Sequence, residues 1–161
     1  SLHDALPILR YNDFIKALLS DDLDYMNQYM NQVAMQTFSF FDTGKKAEEQ
    51  EEPERFYHGF VLGLMVDLAD KYRITSNRES GLGRYDIMME PLEKNKRAYV
   101  IEFKVHKAKR EKDLEETAQN ALQQIAERNY DAELMARGIR KENIRHLGFA
   151  FWGKKVLIEQ E

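Results

Sequence analysis

Cysteine is absent from the 161 residues, which excludes a disulfide framework and any thiolate metal site and fits a reducing cytoplasm. Long apolar runs are absent as well. None approaches the roughly 18–20 residues that a bilayer-spanning helix needs, and no signal-peptide pattern opens the chain, so no membrane partner is expected. The four histidines, His3, His58, His106 and His146, are scattered without zinc-type spacing. No GxxxxGK[ST] loop occurs, so these residues carry no phosphate cradle of that kind. A strong basic excess is missing too: the formal charge is −4, with 4 Lys/Arg against 10 Asp/Glu in residues 1–53 and 20 against 18 in residues 54–161. Charge therefore permits contact with phosphate in the second part without arguing for it. At this length the chain suits one domain of ordinary size.

What is present centres on Arg84 to Val105, RYDIMMEPLEKNKRAYVIEFKV. Two runs rich in Tyr, Ile, Val, Met and Phe flank the turn-forming segment Pro91 to Lys96, which predicts a β-hairpin. Pairing symmetric about Lys94 sets Asp86 opposite Glu102. Side chains alternate along a strand, so Glu102 and Lys104 share one face while Ile101, Phe103 and Val105 share the other. Directly opposed residues have Cβ atoms roughly 4.5–5.5 Å apart, where like charges repel. Lys104 alone could neutralise a surface acid pair; alternatively, a divalent cation shared by the two carboxylates offsets the repulsion, as Mg²⁺ does with one or two carboxylates. The second reading requires both carboxylates to lie on one side of the sheet and to be reachable from solvent.

Asp86 followed by Glu102-Phe103-Lys104 resembles the PD-(D/E)XK nuclease signature. FYHGF at 56–60, SNRESGLGRYD at 76–86, VIEFKV at 100–105 and QI at 124–125 resemble the nuclease-like domain found at the C-terminus of bacterial AAA-ATPase-like proteins. The likeness runs from about Glu54 to Ile158. One departure is Arg84-Tyr85-Asp86 where the superfamily name implies Pro-Asp; that Pro is widely replaced and only the Asp is chemically required. The resemblance implies a restriction-endonuclease-like α/β core of helix, three antiparallel strands, helix and strand, here with an N-terminal helical extension.

The pattern of the chain agrees with that core. The first eight residues, SLHDALPI, look like an in-frame translation of sequencing-library adapter and are set aside. Residues 10–19 and 21–37, the latter capped by Ser20 or Asp21, carry apolar residues at helical spacing. The division expected is residues 1–8 as artefact, 9–52 as a helical remnant of an upstream region plus linker, and 53–161 as the nuclease-like domain. The polar stretch 42–52 reads as linker. Pro53 then opens a helix with an apolar stripe of Phe56, Phe60, Val61, Leu64 and Leu68. Glu54 in its first turn reads as a helix-dipole acid; the resemblance makes it instead the acid that the superfamily's first helix presents to the metal site. His58, one turn on, could hydrogen-bond to Glu54 or serve a structural role. Lys71 to Arg78 alternates as a strand. Ser80-Gly81-Leu82-Gly83 turns into the next, its glycines allowing close approach of a phosphate or of a neighbouring strand. Asn77, Arg78 and Arg84 around that turn are phosphate-contact candidates or exposed strand-edge residues.

After Val105 comes the basic run HKAKREK, which brings Lys107 beside the proposed site as a further nucleic-acid contact. A helix from about Lys112 to Arg128 follows, with a stripe of Leu114, Ala118, Ala121, Leu122 and Ile125. Gln124, on the edge of that stripe, resembles the helix Gln that many superfamily members aim at the active centre. A short helix from Asp131 to Arg137 ends at Gly138, and strands at Ile144 to Trp152 and Lys155 to Ile158 complete the chain. Strands 1–3 must be antiparallel, whereas the helical crossover returns the next strand parallel to one of them.

The resemblance thus implies metal-dependent hydrolysis of a nucleic-acid phosphodiester, with DNA as the expected substrate. Asp86, Glu102 and the backbone carbonyl of Phe103 would hold Mg²⁺ or Mn²⁺, Lys104 would act on water and phosphate, and Glu54 and Gln124 would be auxiliary groups. An upstream ATPase-like domain of the same full-length cytoplasmic chain is the implied partner. The rival reading is a non-catalytic nucleic-acid- or partner-binding module attached to such a domain.

Overall fold

A computed structural model describes residues 10–37, 51–77 and 85–161, with backbone alone for 51–53. The adapter-like segment, residues 42–50 of the expected linker, the glycine turn, Arg78 and Arg84 all lie outside the described residues. Helices α1 (Tyr11–Leu19), α2 (Leu23–Thr37) and α3 (Glu51–Met65) precede strands β1 (Tyr72–Ser76), β2 (Ile87–Pro91) and β3 (Ala98–Val105). Then come helices α4 (Leu114–Arg128) and α5 (Asp131–Ala136) and strands β4 (Ile144–Trp152) and β5 (Lys155–Gln160). The strands form one five-stranded sheet in the order β1-β2-β3-β4-β5. All neighbours are antiparallel except β3 and β4, which the α4–α5 crossover makes parallel. This is the restriction-endonuclease-like α/β arrangement with an N-terminal helical part.

Alternation along the strands sorts the core into two layers. Tyr99, Ile101, Phe103, Leu147, Phe149 and Phe151 face α1, α2 and α3, where Phe14, Met30, Tyr57 and Val61 are buried among them. The Tyr57 ring lies on Phe151 at 4.0 Å with 3° between planes. Ala98 and Val100 face the other way, toward Ile125, Tyr130 and Leu134, and Ala150 packs with Leu114 and Ala118. With both faces covered, β3 is buried over its first six residues, as a strand in a parallel pair generally is.

Several boundaries depart from the pattern-based reading. The third helix begins at Glu51, not at Pro53, so the last two residues of the expected linker are helical. Proline is tolerated there because backbone N–H groups of the first turn have no intrahelical partner in any case. The cap of α2 is neither Ser20 nor Asp21 but Asp22, whose Oδ1 accepts from Tyr25 N at 3.1 Å. Ser20 closes α1 instead, and Asp21 takes a left-handed φ of 59° with its Oδ2 2.8 Å from Arg97 Nη1.

Two contacts lock the layers. On α2, Asn27 and Asn31 stand one turn apart and treat edge strand β5 as a neighbouring strand would. Asn27 Nδ2 donates to Ile158 O at 3.0 Å and its Oδ1 accepts from Ile158 N at 2.7 Å. Asn31 does the same with Val156 O and N, at 2.7 and 2.9 Å. An edge that would otherwise expose unpaired groups is thereby covered. On the opposite layer, Gly148 of β4 lets α4 approach: a Cβ there would lie 2.7 Å from Ala118 O and 3.1 Å from Ala121 Cβ. Gly148→Ala is therefore expected to lift α4 and to cost about 1–3 kcal/mol. A thermal melt indistinguishable from wild type would refute that packing.

Candidate active site

The hairpin register is that of a turn symmetric about Lys94, with Ile87 opposite Ile101 and Met89 opposite Tyr99. The ladder ends at Ile87, and Asp86 precedes it as a bend beside Ile101 and Phe103. Three backbone-linked contacts fix Asp86: its N donates to Ile101 O at 3.1 Å, its O accepts from Asn77 N at 3.1 Å, and its Oδ2 accepts from Phe103 N at 2.7 Å. Asp86 remains partly exposed.

Glu102 points to the α4 face, and there the expectation of a solvent-reachable pair needs correction. It is only 5 % exposed, because α4, seated close through Gly148, lays Gln124 over it. Gln124 Nε2 donates to Glu102 Oε1 at 3.0 Å, and Lys104 Nζ stands 3.9 Å from the same oxygen. Oε2 is buried with no hydrogen-bond partner among the described residues. Burial first, and then the neighbouring charge of Asp86, push the Glu102 pKa from its ordinary 4.5 up to about 8; Glu54 adds to the rise, while Lys104 and Arg128 oppose it. Gln124 of α4 thus contacts this carboxyl group, and Glu54 of α3 acts on it through its charge.

Lys104 is partly exposed and lines a cavity of about 240 Å³ together with Lys107, Arg110, Asn120 and Gln124. Glu111 on its wall is tied down by Lys107 N at 2.7 Å, Asn120 Nδ2 at 2.7 Å and Thr117 Oγ1 at 3.1 Å. The Phe103 side chain lies in the core, its ring 5.1 Å from that of Phe149. His58 Nε2 meets Ser76 Oγ at 2.9 Å, so β1 supplies that partner. Asn77 reaches the site through its backbone bond to Asp86. Arg128 and Asn120 were not singled out from sequence, yet they fall four residues either side of Gln124 on one helical face, and that spacing was the available signal. A larger cavity of about 770 Å³ opens elsewhere, around Leu19, Tyr72, Leu92, Arg97 and Tyr99. There the Tyr72 hydroxyl donates to Arg97 O at 2.8 Å and ties β1 to the hairpin, while the Tyr99 hydroxyl donates to Leu18 O at 3.3 Å and ties β3 to α1.

The donor set suits a hard divalent ion: two carboxylates, one of them with a buried oxygen lacking a partner, beside an ammonium group. Among the described residues no cluster of three or more His, Cys, Asp or Glu stands together, so protein ligands would be few. A mixed five-stranded sheet between two helical layers defines a fold of the restriction-endonuclease-like class. The profile of the PD-(D/E)XK nuclease superfamily matches residues 52–161, and the chain belongs to that superfamily. No curated protein and no solved structure matches it.

The raised Glu102 pKa carries a pH signature. Below about 4.5 the folded and unfolded chains both hold the proton; from there to about 8 the unfolded chain releases it and the folded chain keeps it. Stability should fall across that window as pH rises, and the loss should be complete above it. Melting temperatures of wild type minus those of Glu102→Gln, without metal, should trace this decline; parallel curves for the two proteins would refute it.

Proposed function

We infer that this protein is a metal-dependent nuclease that hydrolyses phosphodiester bonds in nucleic acid, with DNA the expected substrate. The observation that carries the reading is the superfamily match over residues 52–161 together with Asp86, Glu102 and Lys104 falling at one place on it, Glu102 having its pKa raised by burial and then by Asp86 and its Oε2 unpartnered among the described residues. The 5 % exposure of Glu102 runs against the solvent access that the sequence reading required. Asp86, Glu102 and the Phe103 carbonyl would hold Mg²⁺ or Mn²⁺. Bound there, the ion would supply polarisation of the phosphate, acidification of a water and a counter-charge for the paired acids.

The chain's own groups divide the remaining work. Phe103 N, by donating to Asp86 Oδ2, fixes which way that carboxylate turns. Gln124 holds Glu102 Oε1 in place. Lys104, reaching solvent beside Glu102, would orient the attacking water and offset charge building on the phosphate. Glu54 would tune the field at Glu102, and Lys107, Arg78 and Arg84 would receive phosphates, with Asn77 steadying the strand beneath them.

The resemblance to C-terminal domains of bacterial AAA-ATPase-like proteins supports a longer cytoplasmic chain in which an ATPase-like domain precedes this one. Residues 9–52 would then be the remnant of that neighbour plus linker, and 53–161 the nuclease-like domain. One observation favours the rival reading of a non-catalytic binding module: a Glu102 so deeply covered could remain protonated as a structural acid.

Two measurements decide. Asp86→Ala and Glu102→Ala should each abolish Mg²⁺-dependent cleavage, and Lys104→Ala should lower it about 10²–10⁴-fold; undiminished cleavage by Asp86→Ala would remove the mechanism. Mg²⁺ or Mn²⁺ should raise the melting temperature more above the Glu102 pKa of about 8 than below it, because ligation needs the deprotonated acid. Glu102→Gln should abolish that rise. A metal-indifferent melt at every pH, with no cleavage, would leave the binding-module reading.

A further inference from the structure

Trp152 is the single tryptophan of the chain, and it ends β4 with 48 % of its surface exposed. The His106 ring packs on the indole at 4.1 Å between centroids, tilted by 31°. His106 is fixed from behind. It is buried, its Nδ1 meets Thr117 Oγ1 at 2.7 Å, and Glu111 Oε1 stands 3.7 Å from that nitrogen. Its backbone N donates to Phe151 O at 2.8 Å, carrying the β3–β4 ladder one step beyond the strand. The indole is therefore a backed, half-exposed aromatic surface whose orientation is set before any ligand arrives.

Its position relates it to the paired acids. Glu102, Lys104 and His106 alternate onto the α4 face, and the register pairs Lys104 with Ala150. Trp152 lies two residues further along β4. Strand dimensions then put the backbones of Lys104 and Trp152 about 9 Å apart, from about 7 Å along the strand and about 5 Å across, and those of Glu102 and Trp152 about 14 Å apart. Lys104 also lines the cavity that Lys107 and Arg110 share. An aromatic next to a cationic groove is the pairing that holds an unpaired strand, with bases stacking on the ring and phosphates meeting the cations. Inside a duplex each base has both faces covered by its neighbours, so an indole there meets only backbone.

We propose that Trp152 is a stacking platform for an unpaired base one or two nucleotides from the phosphodiester at Asp86 and Glu102, with Lys107 and Arg110 holding the intervening phosphate. The substrate is then a single strand or an unpaired end. The proximity to a scissile bond rests on the nuclease reading; the stacking itself does not.

The test uses the 161-residue chain carrying Asp86→Asn, which keeps an acceptor for Phe103 N; Trp152 is the single indole of these residues. Its fluorescence is titrated with a thymidine oligomer, a uridine oligomer and a blunt DNA duplex of equal length, while anisotropy of the labelled oligomers reports binding. Single strands should quench Trp152 and the duplex should not. In the same background Trp152→Ala should weaken single-strand binding about tenfold with duplex binding unchanged, and Trp152→Phe should restore most of it. Quenching by only one of the two oligomers supports the platform and names the sugar. Bound single strands without quenching, equal losses for both forms in Trp152→Ala, or no binding of any oligomer would each overturn the proposal. Cleavage by wild type, measured in parallel, separates the two ideas: duplex cleavage without quenching leaves the nuclease and removes the platform, whereas quenching without cleavage does the reverse.

Discussion

Burying a carboxylate costs several kcal/mol unless donors replace the water it loses, and this fold shows both outcomes. Glu90 is as covered as Glu102, yet Arg137 at 2.8 Å and Lys94 at 3.4 Å overcome its desolvation and hold its pKa below the ordinary range. Glu111 is likewise desolvated, and bonds from Lys107 N, Asn120 and Thr117, with help from His106, bring it below that range too. Glu102 receives Gln124 and a 3.9 Å approach of Lys104, but it faces a second acid, and its pKa goes up. Where donors are within reach, the structure supplies them. At Glu102 the described residues supply fewer, and the carboxyl keeps its proton to higher pH.

The rest of the fold sets the terms of that deficit. Parallel pairing of β3 with β4 requires a crossover helix on one face, and α4 is that helix. Its closeness depends on the missing side chain of Gly148. Were α4 farther out, Gln124 would not span to Glu102 and water would enter, lowering the desolvation that raises the pKa. The opposite layer contributes through stiffness. Aromatic stacking of Tyr57 on Phe151 and the Asn27 and Asn31 clamps on β5 hold the far side of the sheet, so the alignment of β2 and β3 does not have to be maintained by the hairpin alone.

Much of this was legible in the residues, and the reasons are local. A turn centred on Lys94 leaves one natural register, and that register pairs Ile87 with Ile101. The α4 stripe of Leu114, Ala118, Ala121, Leu122 and Ile125 is wholly buried, as its period requires. Strand alternation correctly separated Glu102 from Phe103. The features that escaped are long-range ones. Periodicity cannot report how far Glu102 sinks, because that depends on a contact between Gly148 and Ala118 across two elements. The Asn27 and Asn31 clamps join residues 131 and 125 positions away, and on the helix itself they resemble any polar face. The pattern offered Ser20 or Asp21 as the cap of α2 and missed Asp22, because nothing local announces the left-handed turn at Asp21 that shifts the helix start.

The basic run after β3 shows how charge is localised in a chain of net −4. Read as composition, HKAKREK is a solvated cationic segment. Folded, its single acid is the anchor: Glu111 takes Lys107 N and Asn120 Nδ2 and so ties the segment to α4. His106, at the head of the run, turns inward to the same acid and to Thr117. What stays outside is selected by that anchoring, and Lys107 and Arg110 are left on the cavity that Lys104 also lines. A cleft walled by low-dielectric protein focuses the field of such a group far more than the overall charge would suggest. The acid that interrupts the run is therefore what makes its positive charge local to Lys104, and the acidity of the chain elsewhere leaves that local field in place over about one Debye length, roughly 8 Å at physiological salt.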